Sequence, residues 1–382
     1  MTPNRRNSVN FKRGTIAAVA AGAALTLTLS ACGSEESSGA SGSSAAAGGS
    51  GVQCDGKLQL KGSGSTAQAN AMTVFKNTFA QDCSGANVDY SGNGSGQGIT
   101  EFTSGLTNFG GSDSPLNADQ AKKAEEKCGA PALNLPLVFG PIAVAYKLPG
   151  DVAVNLSAPT LAKIFSGAIT TWNAPEIAEE NKGATLPDLP ITVVFRSDES
   201  GTTENFQKYL GSAAPAEWSA DKKGKAFKGG TGQGASGNAA VAATVNKAEG
   251  TITYAEWSFA KAQKLQVANI ITSAGPEAVK LSSESVAKTI EAAKFKNPGS
   301  KDLVIDTEGF YKPTAAGAYP IVLATYEIVC SKYSDAELAK GIKTFLKVAA
   351  SKPAQDQLDG QGYAPIPDSF RTTLLASVDS IQ

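Results

Sequence analysis

Arg196-Ser197-Asp198-Glu199-Ser200-Gly201-Thr202 follows the β-branched and aromatic run Ile191-Thr192-Val193-Val194-Phe195 and precedes a helix-like stretch, Thr203 to Leu210. The reading is a strand that ends on an arginine, then a Ser-Gly-Thr turn that opens a helix. A helix start leaves backbone N–H groups without partners and carries partial positive charge. Two hydroxyls and a guanidinium added there make a site for an oxyanion. The same residues also suit a plain N-cap, since Ser or Asp before a helix is common. Recurrence of the unit elsewhere favours the first reading.

Upstream, Lys57 to Leu60 alternate as a short strand, Gly62-Ser63-Gly64-Ser65-Thr66 follows, and Ala67 to Ala80 read as a helix with Met72, Phe75 and Phe79 on its core face. Val88-Asp89-Tyr90 is a second strand, running into Gly92-Asn93-Gly94-Ser95-Gly96-Gln97-Gly98 and a helix through Ile99 and Phe102. Asn108-Phe109-Gly110 is a third, ending in Gly111-Ser112-Asp113-Ser114-Pro115 before an amphipathic helix that closes near Cys128. In a parallel sheet such turns share the carboxyl edge of the strands, where ligands bind. No turn matches the Walker pattern, and Gly92-x-Gly94-x-Gly96-x-Gly98 has the wrong spacing for a dinucleotide fingerprint. The turns therefore favour an oxyanion held mainly by neutral donors. Asp113 would repel such a ligand unless the ligand brought a proton to donate. Phosphate does so at neutral pH and sulfate does not, so a fixed acceptor would discriminate between them. Capping of the following helix by the Asp-Ser-Pro turn explains Asp113 equally well at this stage.

The chain has 382 residues, room for about two domains. A net charge of -1 gives no electrostatic reason to expect nucleic acid as a partner. Histidine is absent, which removes the commonest general base and metal ligand and excludes Ser-His-Asp and Cys-His arrangements. No catalytic residue, metal site or cofactor is expected.

Residues 1–31 read as a secretion signal: Arg5, Arg6, Lys12 and Arg13, an apolar stretch from Ile16 to Leu29, then Leu29-Ser30-Ala31-Cys32. The stretch is too short for a membrane span. Leu-Ser-Ala-Cys resembles a bacterial lipobox, which implies cleavage before Cys32 and a lipid on its thiol; the alternative is ordinary cleavage leaving a free cysteine. Residues 32–53, largely Gly, Ser and Ala, read as a flexible tether. The expectation is a body anchored on the extracytoplasmic face of the membrane, with some copies secreted. Four cysteines then remain, Cys54, Cys83, Cys128 and Cys330, an even number that suggests two disulfides in an exported chain. Spacing leaves three pairings open, and free buried thiols are the alternative.

Leu135-Pro136-Leu137-Val138-Phe139 through Tyr146 reads as a strand crossing out of a first lobe, and Tyr319-Pro320-Ile321-Val322-Leu323-Ala324 as the return. Lobe I then comprises 54–145 with 319–382, and lobe II is the insertion 146–318. The Gly/Lys-rich stretch Lys222 to Gly237 reads as an exposed flexible segment. Two α/β lobes joined by two crossing strands place a ligand in the cleft. In that arrangement Cys54 and Cys83 fall at the edge of lobe I away from the cleft, as do Cys128 and Cys330, which favours Cys54–Cys83 with Cys128–Cys330.

Taken together and in this order, Gly62 to Thr66, Gly94-Ser95-Gly96, Phe109 to Asp113 and Arg196 to Thr202, supported by Gly250 to Tyr254 and Tyr319-Pro320-Ile321, resemble the phosphate-binding lipoproteins that feed phosphate ABC transporters. The resemblance spans residues 55–380. It implies a type II periplasmic-binding-protein fold closing on one dehydrated phosphate. Thr66 would donate through hydroxyl and backbone, Ala67 through its backbone N–H, and Ser95 from the second turn. Family members often carry an aromatic residue where Ala67 stands. Asp113 would accept the phosphate proton, Arg196 would supply positive charge held by Asp198, and Ser200, Gly201 and Thr202 would complete the cradle. The implied partners are inorganic phosphate and membrane permease subunits, with the protein itself a monomer. A phosphatase lacks its base and its metal carboxylates here, and a sulfate or molybdate binder is disfavoured by Asp113 beside an arginine.

Overall fold

The computed structural model describes residues 49–219 and 221–382. The signal over 1–31, the lipidation site Cys32 and the tether up to residue 48 lie outside them. The last tether residues are already docked: the Ser50 N–H donates to Asp82 Oδ2 at 3.1 Å, and Val52 packs on the core.

Eight strands carry the architecture: β1 (Gln59–Gly64), β2 (Asn87–Gly92), β3 (Phe109–Ser112), β4 (Ala132–Lys147), β5 (Thr192–Arg196), β6 (Gln233–Ala235), β7 (Thr251–Glu256) and β8 (Val322–Cys330). They run in the order β2-β1-β3-β8-β4-β7-β5-β6, with a two-residue strand at 266–267 also pairing β4. β4 is the shared element. Its residues 132–141 pair antiparallel with β8, and its residues 142–147 pair antiparallel with β7. All but its terminal residues are buried, as its near-continuous apolar sequence requires of a strand covered on both faces. One ribbon thus belongs to two lobes, and the start of β8 beside it is the second crossing.

The lobes are built on one plan. In lobe I, β1, α1 (Ala69–Asp82), β2, α2 (Ser95–Thr103) and β3 follow in sequence, with β1 central and parallel to both β2 and β3. In lobe II, β5, α3 (Gly201–Ala213), β6, α4 (Gly237–Val245) and β7 repeat this, with β5 central and parallel to β6 and β7. A central first strand flanked by the second and third is a topological switch point, and its carboxyl edge is the ligand edge. Gly98 of α2 lets helix and strand meet, since a Cβ there would lie 2.4 Å from Gly64 Cα.

Two readings change. The first strand is 59–64, later than the pattern suggested, so the turn is Ser65 to Gln68 and α1 starts at Ala69. Lys222 to Gly237 is anchored rather than free. Phe227 stacks on Phe195 with centroids 4.7 Å apart, Lys225 pairs with Glu204 at 2.9 Å, and 233–235 form β6. The hairpin of 294–295 with 305–306 packs on lobe I, where Asp302 Oδ1 accepts from Asn134 N at 2.7 Å and Phe295 meets Phe370. The structure contains the bonds Cys54–Cys83 and Cys128–Cys330, with Cα atoms 5.6 and 5.5 Å apart. Among the described residues no helix is long and apolar enough to cross a membrane.

Candidate anion-binding site between the lobes

The carboxyl edges of β1 and β5 face each other. From lobe I come the turn after β1, the first residue of α2 and the residue after β3: Thr66, Ala67, Ser95 and Asp113. From lobe II come the end of β5 and the start of α3: Arg196, Asp198, Ser200, Gly201 and Thr202. Asp113 and Arg196 are only 3% and 2% exposed, so two opposite charges share a nearly dry cleft.

The lobe I wall surrounds a carboxylate with hydroxyls. Asp113 Oδ1 accepts from Ser65 Oγ and from Thr325 Oγ1 at 2.8 Å, and Oδ2 accepts from Ser95 Oγ at 3.4 Å. Burial pushes the Asp113 carboxyl above its ordinary range, against the pull of the Ser65 and Thr325 bonds, the Arg196 charge and the Ser95 bond. The Ala67 N–H donates to Ser65 Oγ at 3.0 Å, so it is engaged locally and can reach a ligand only as a shared donor. Behind this wall Glu327 of β8 is fully buried, and neither carboxyl oxygen has a protein partner among the described residues. Burial, against a pull from the nearby Gln68 side chain and with the charge of Asp113 added, holds its carboxyl up at about 8.

The lobe II wall is an ion pair at a helix start. Arg196 Nε donates to Asp198 Oδ1 at 2.7 Å, and Nη2 donates to Asp198 Oδ2, a bidentate clamp. Burial pushes Asp198 up, but the bonds and charge of Arg196 outweigh it and leave Asp198 below its ordinary range. The clamp fixes the guanidinium so that Nη1 faces Thr202 Oγ1 at 3.4 Å. Ser200 is the N-cap of α3, its Oγ accepting from Thr203 N at 3.1 Å. The capping role and the site role coincide here: the cap consumes a lone pair, and the hydroxyl proton stays available. The N–H groups of Gly201 and Thr202 belong to the first turn, outside the helical ladder.

The walls touch. Gly96 N donates to Glu199 O at 3.1 Å, and Asn205 Nδ2 donates to Asp113 O at 2.7 Å. A Cβ on Gly201 would lie 2.5 Å from both Asp113 Cβ and Ser95 Oγ, so only glycine permits this approach. Every site residue expected from sequence therefore lies at this edge. Three further residues join them. Ser65 belongs to the Gly62 to Thr66 motif, where the family resemblance points to Thr66 alone. Thr325 sits in a strand that is buried throughout, and Asn238 follows a strand too short to read.

Known proteins bear on this arrangement. The sequence profile of the PBP superfamily domain matches residues 33–353. Phosphate-binding protein PstS 3 of Mycobacterium tuberculosis (strain H37Rv) is 51% identical over 365 residues, 96% of this chain and 98% of that protein. Phosphate-binding protein PstS of Pasteurella multocida is 33% identical over 289 residues, 74% of this chain and 79% of that protein. The fold matches a phosphate-bound high-affinity periplasmic phosphate-binding protein (PfluDING) at a TM-score of 0.65 and 23% identity, over 84% of this chain and 93% of that one. It also matches a phosphate-binding protein from Stenotrophomonas maltophilia at 0.63 and 22% identity, over 84% and 94% of the two chains. With its two repeated lobes, its shared strand and its paired turns, the chain belongs to the PBP superfamily, in the PstS group of phosphate-binding proteins.

Proposed function

We propose that this protein captures inorganic phosphate between its lobes and delivers it to the permease of a phosphate ABC transporter. It binds its ligand and leaves it chemically unchanged. One observation carries the reading: a buried carboxylate, Asp113, faces a buried arginine across a cradle of hydroxyls and helix-start N–H groups. Arg196 and the donors suit an oxyanion, while Asp113 suits only an oxyanion that still holds a proton. Thr66, Ala67, Ser95, Ser200, Gly201 and Thr202 supply the donors, and Asp198 holds the arginine in place. Lobe I is 54–145 with 319–382 and lobe II is 146–318, an insertion whose hairpin at 294–306 lies back against lobe I. The protein acts as a monomer held by a lipid on Cys32 at the outer face of the membrane, and the permease reads the closed form.

The test is calorimetric titration of residues 52–382, unfolded and refolded to strip ligand, with phosphate and then sulfate near pH 7. One-to-one phosphate binding with no sulfate response is the expected result. Sulfate binding without phosphate binding overturns the reading.

A further inference from the structure

Lobe I presents its ligand edge twice, after its first strand and at the start of its second helix, where Ser95 stands. Lobe II follows the same plan, so the start of its second helix, α4, should also reach the cleft. The residue there is Asn238, which is fully buried. Its Nδ2 donates to Thr66 Oγ1 at 2.9 Å and to Thr202 Oγ1 at 3.2 Å, one partner from each lobe. Its own N–H approaches Thr66 Oγ1 at 3.3 Å. The amide cannot turn over without loss, because Oδ1 accepts from Glu256 N at 3.0 Å.

A hydroxyl oxygen has two lone pairs and one proton. Thr66 Oγ1 receives Asn238 N and Nδ2; Thr202 Oγ1 receives Asn238 Nδ2 and Arg196 Nη1. Both oxygens are therefore filled as acceptors, and each can only donate its proton elsewhere. We propose that Asn238 is a positioning residue for specificity: it makes Thr66 and Thr202 obligate donors, and so turns any protonated oxygen of the ligand away from their corner and toward Asp113. This rests on the phosphate reading above. The orientation of the two hydroxyls can be measured without it.

Asn238→Asp reverses the logic. A carboxylate at that place accepts from both threonines, turning their protons inward and adding negative charge. At pH 8 phosphate binding should fall on the order of 100-fold or more relative to wild type. Burial raises a carboxyl group's pKa, so the ratio to wild type should recover in part as pH falls toward 5, where a protonated Asp again donates. Asn238→Ala should lose less and show no such pH-dependent ratio. Wild-type affinity in Asn238→Asp at pH 8 overturns the inference. Neutron diffraction of the wild-type protein gives the independent readout. Hydroxyl deuterons of Thr66 and Thr202 pointing away from Asn238, with the amide deuterons of Asn238 directed at the two oxygens, support the proposal, and hydroxyl deuterons pointing at Asn238 overturn it. Correct deuterons in a protein that does not bind phosphate would support the hydroxyl geometry and strike only the choice of ligand.

Discussion

The two walls of the cleft share a strand order and differ in how each keeps a buried charge. On lobe II the charge is Arg196, and its counter-ion Asp198 stands two residues away on the same turn. On lobe I the charge is Asp113, and its nearest partners are the hydroxyls of Ser65, Thr325 and Ser95. A paired cation is a settled fixture. A carboxylate satisfied only by neutral donors keeps a raised proton affinity and can respond to a ligand's proton. On the proposed reading, lobe II would supply attraction for any oxyanion, and lobe I would supply discrimination among them.

The sharpest way to break this division is Arg196→Ala. It removes the positive charge and leaves the half-buried Asp198 unpaired, and it should weaken phosphate binding by about 2–5 kcal/mol. Calorimetry giving near-wild-type affinity would place the attraction elsewhere. Asp113→Asn comes next, with a loss of about 1–3 kcal/mol for phosphate as the proton acceptor goes. Sulfate should bind measurably to this variant alone, and an unchanged sulfate blank would remove discrimination from lobe I. Gly201→Ala tests the contact between the walls. The added methyl meets Asp113 Cβ and should cost about 1 kcal/mol or more, the usual scale for overpacking. Small-angle scattering with saturating phosphate should then show a larger radius of gyration than the wild type.

Glu327→Gln should move affinity least. Its effect is on stability. The Glu327 carboxyl lies at about 8 when folded and near 4.5 when unfolded, so the unfolded state releases the proton first. Stability from this group is complete below 4.5 and declines as pH rises through about 8. Glu204, half-buried and held down by Lys208 and Lys225 against the push of its burial, lies at about 2, and its contribution is lost in the opposite direction, as pH falls below 4.5. Chemical denaturation between pH 5 and 9 should show a declining wild-type curve that flattens in Glu327→Gln. Parallel curves would mean that Glu327 is solvated and ionised.

Most of the site was legible because the turns after β1, β2, β3 and β5 are local: strand, glycine or hydroxyl, helix. The pairing of Arg196 with Asp198 came with the family resemblance, and it is local, with only Ser197 between them. Ser65 and Asn238 were harder. Ser65 sits in a motif with three hydroxyls, and nothing in its neighbours says which one faces Asp113, 48 residues away. Asn238 follows β6, whose Gln-Gly-Ala carries no strand pattern, so the second unit of lobe II was hidden until pairing with β5 exposed it. Thr325 and Glu327 lie in a strand that is buried throughout, where a polar residue gives no hint of its face. In the Lys222 to Gly237 stretch, tertiary packing through Phe227 overrode a composition typical of loops.

The bond between Cys128 and Cys330 has a topological consequence. It joins points 202 residues apart, on either side of both crossings, so the whole stretch between them is closed into a covalent ring. A single protease cut anywhere inside that ring leaves one molecule, with its two new ends held together through the sulfur bridge. For a protein exposed outside the cell, lobe II can be nicked without being shed, and a nicked chain separates into fragments only after reduction.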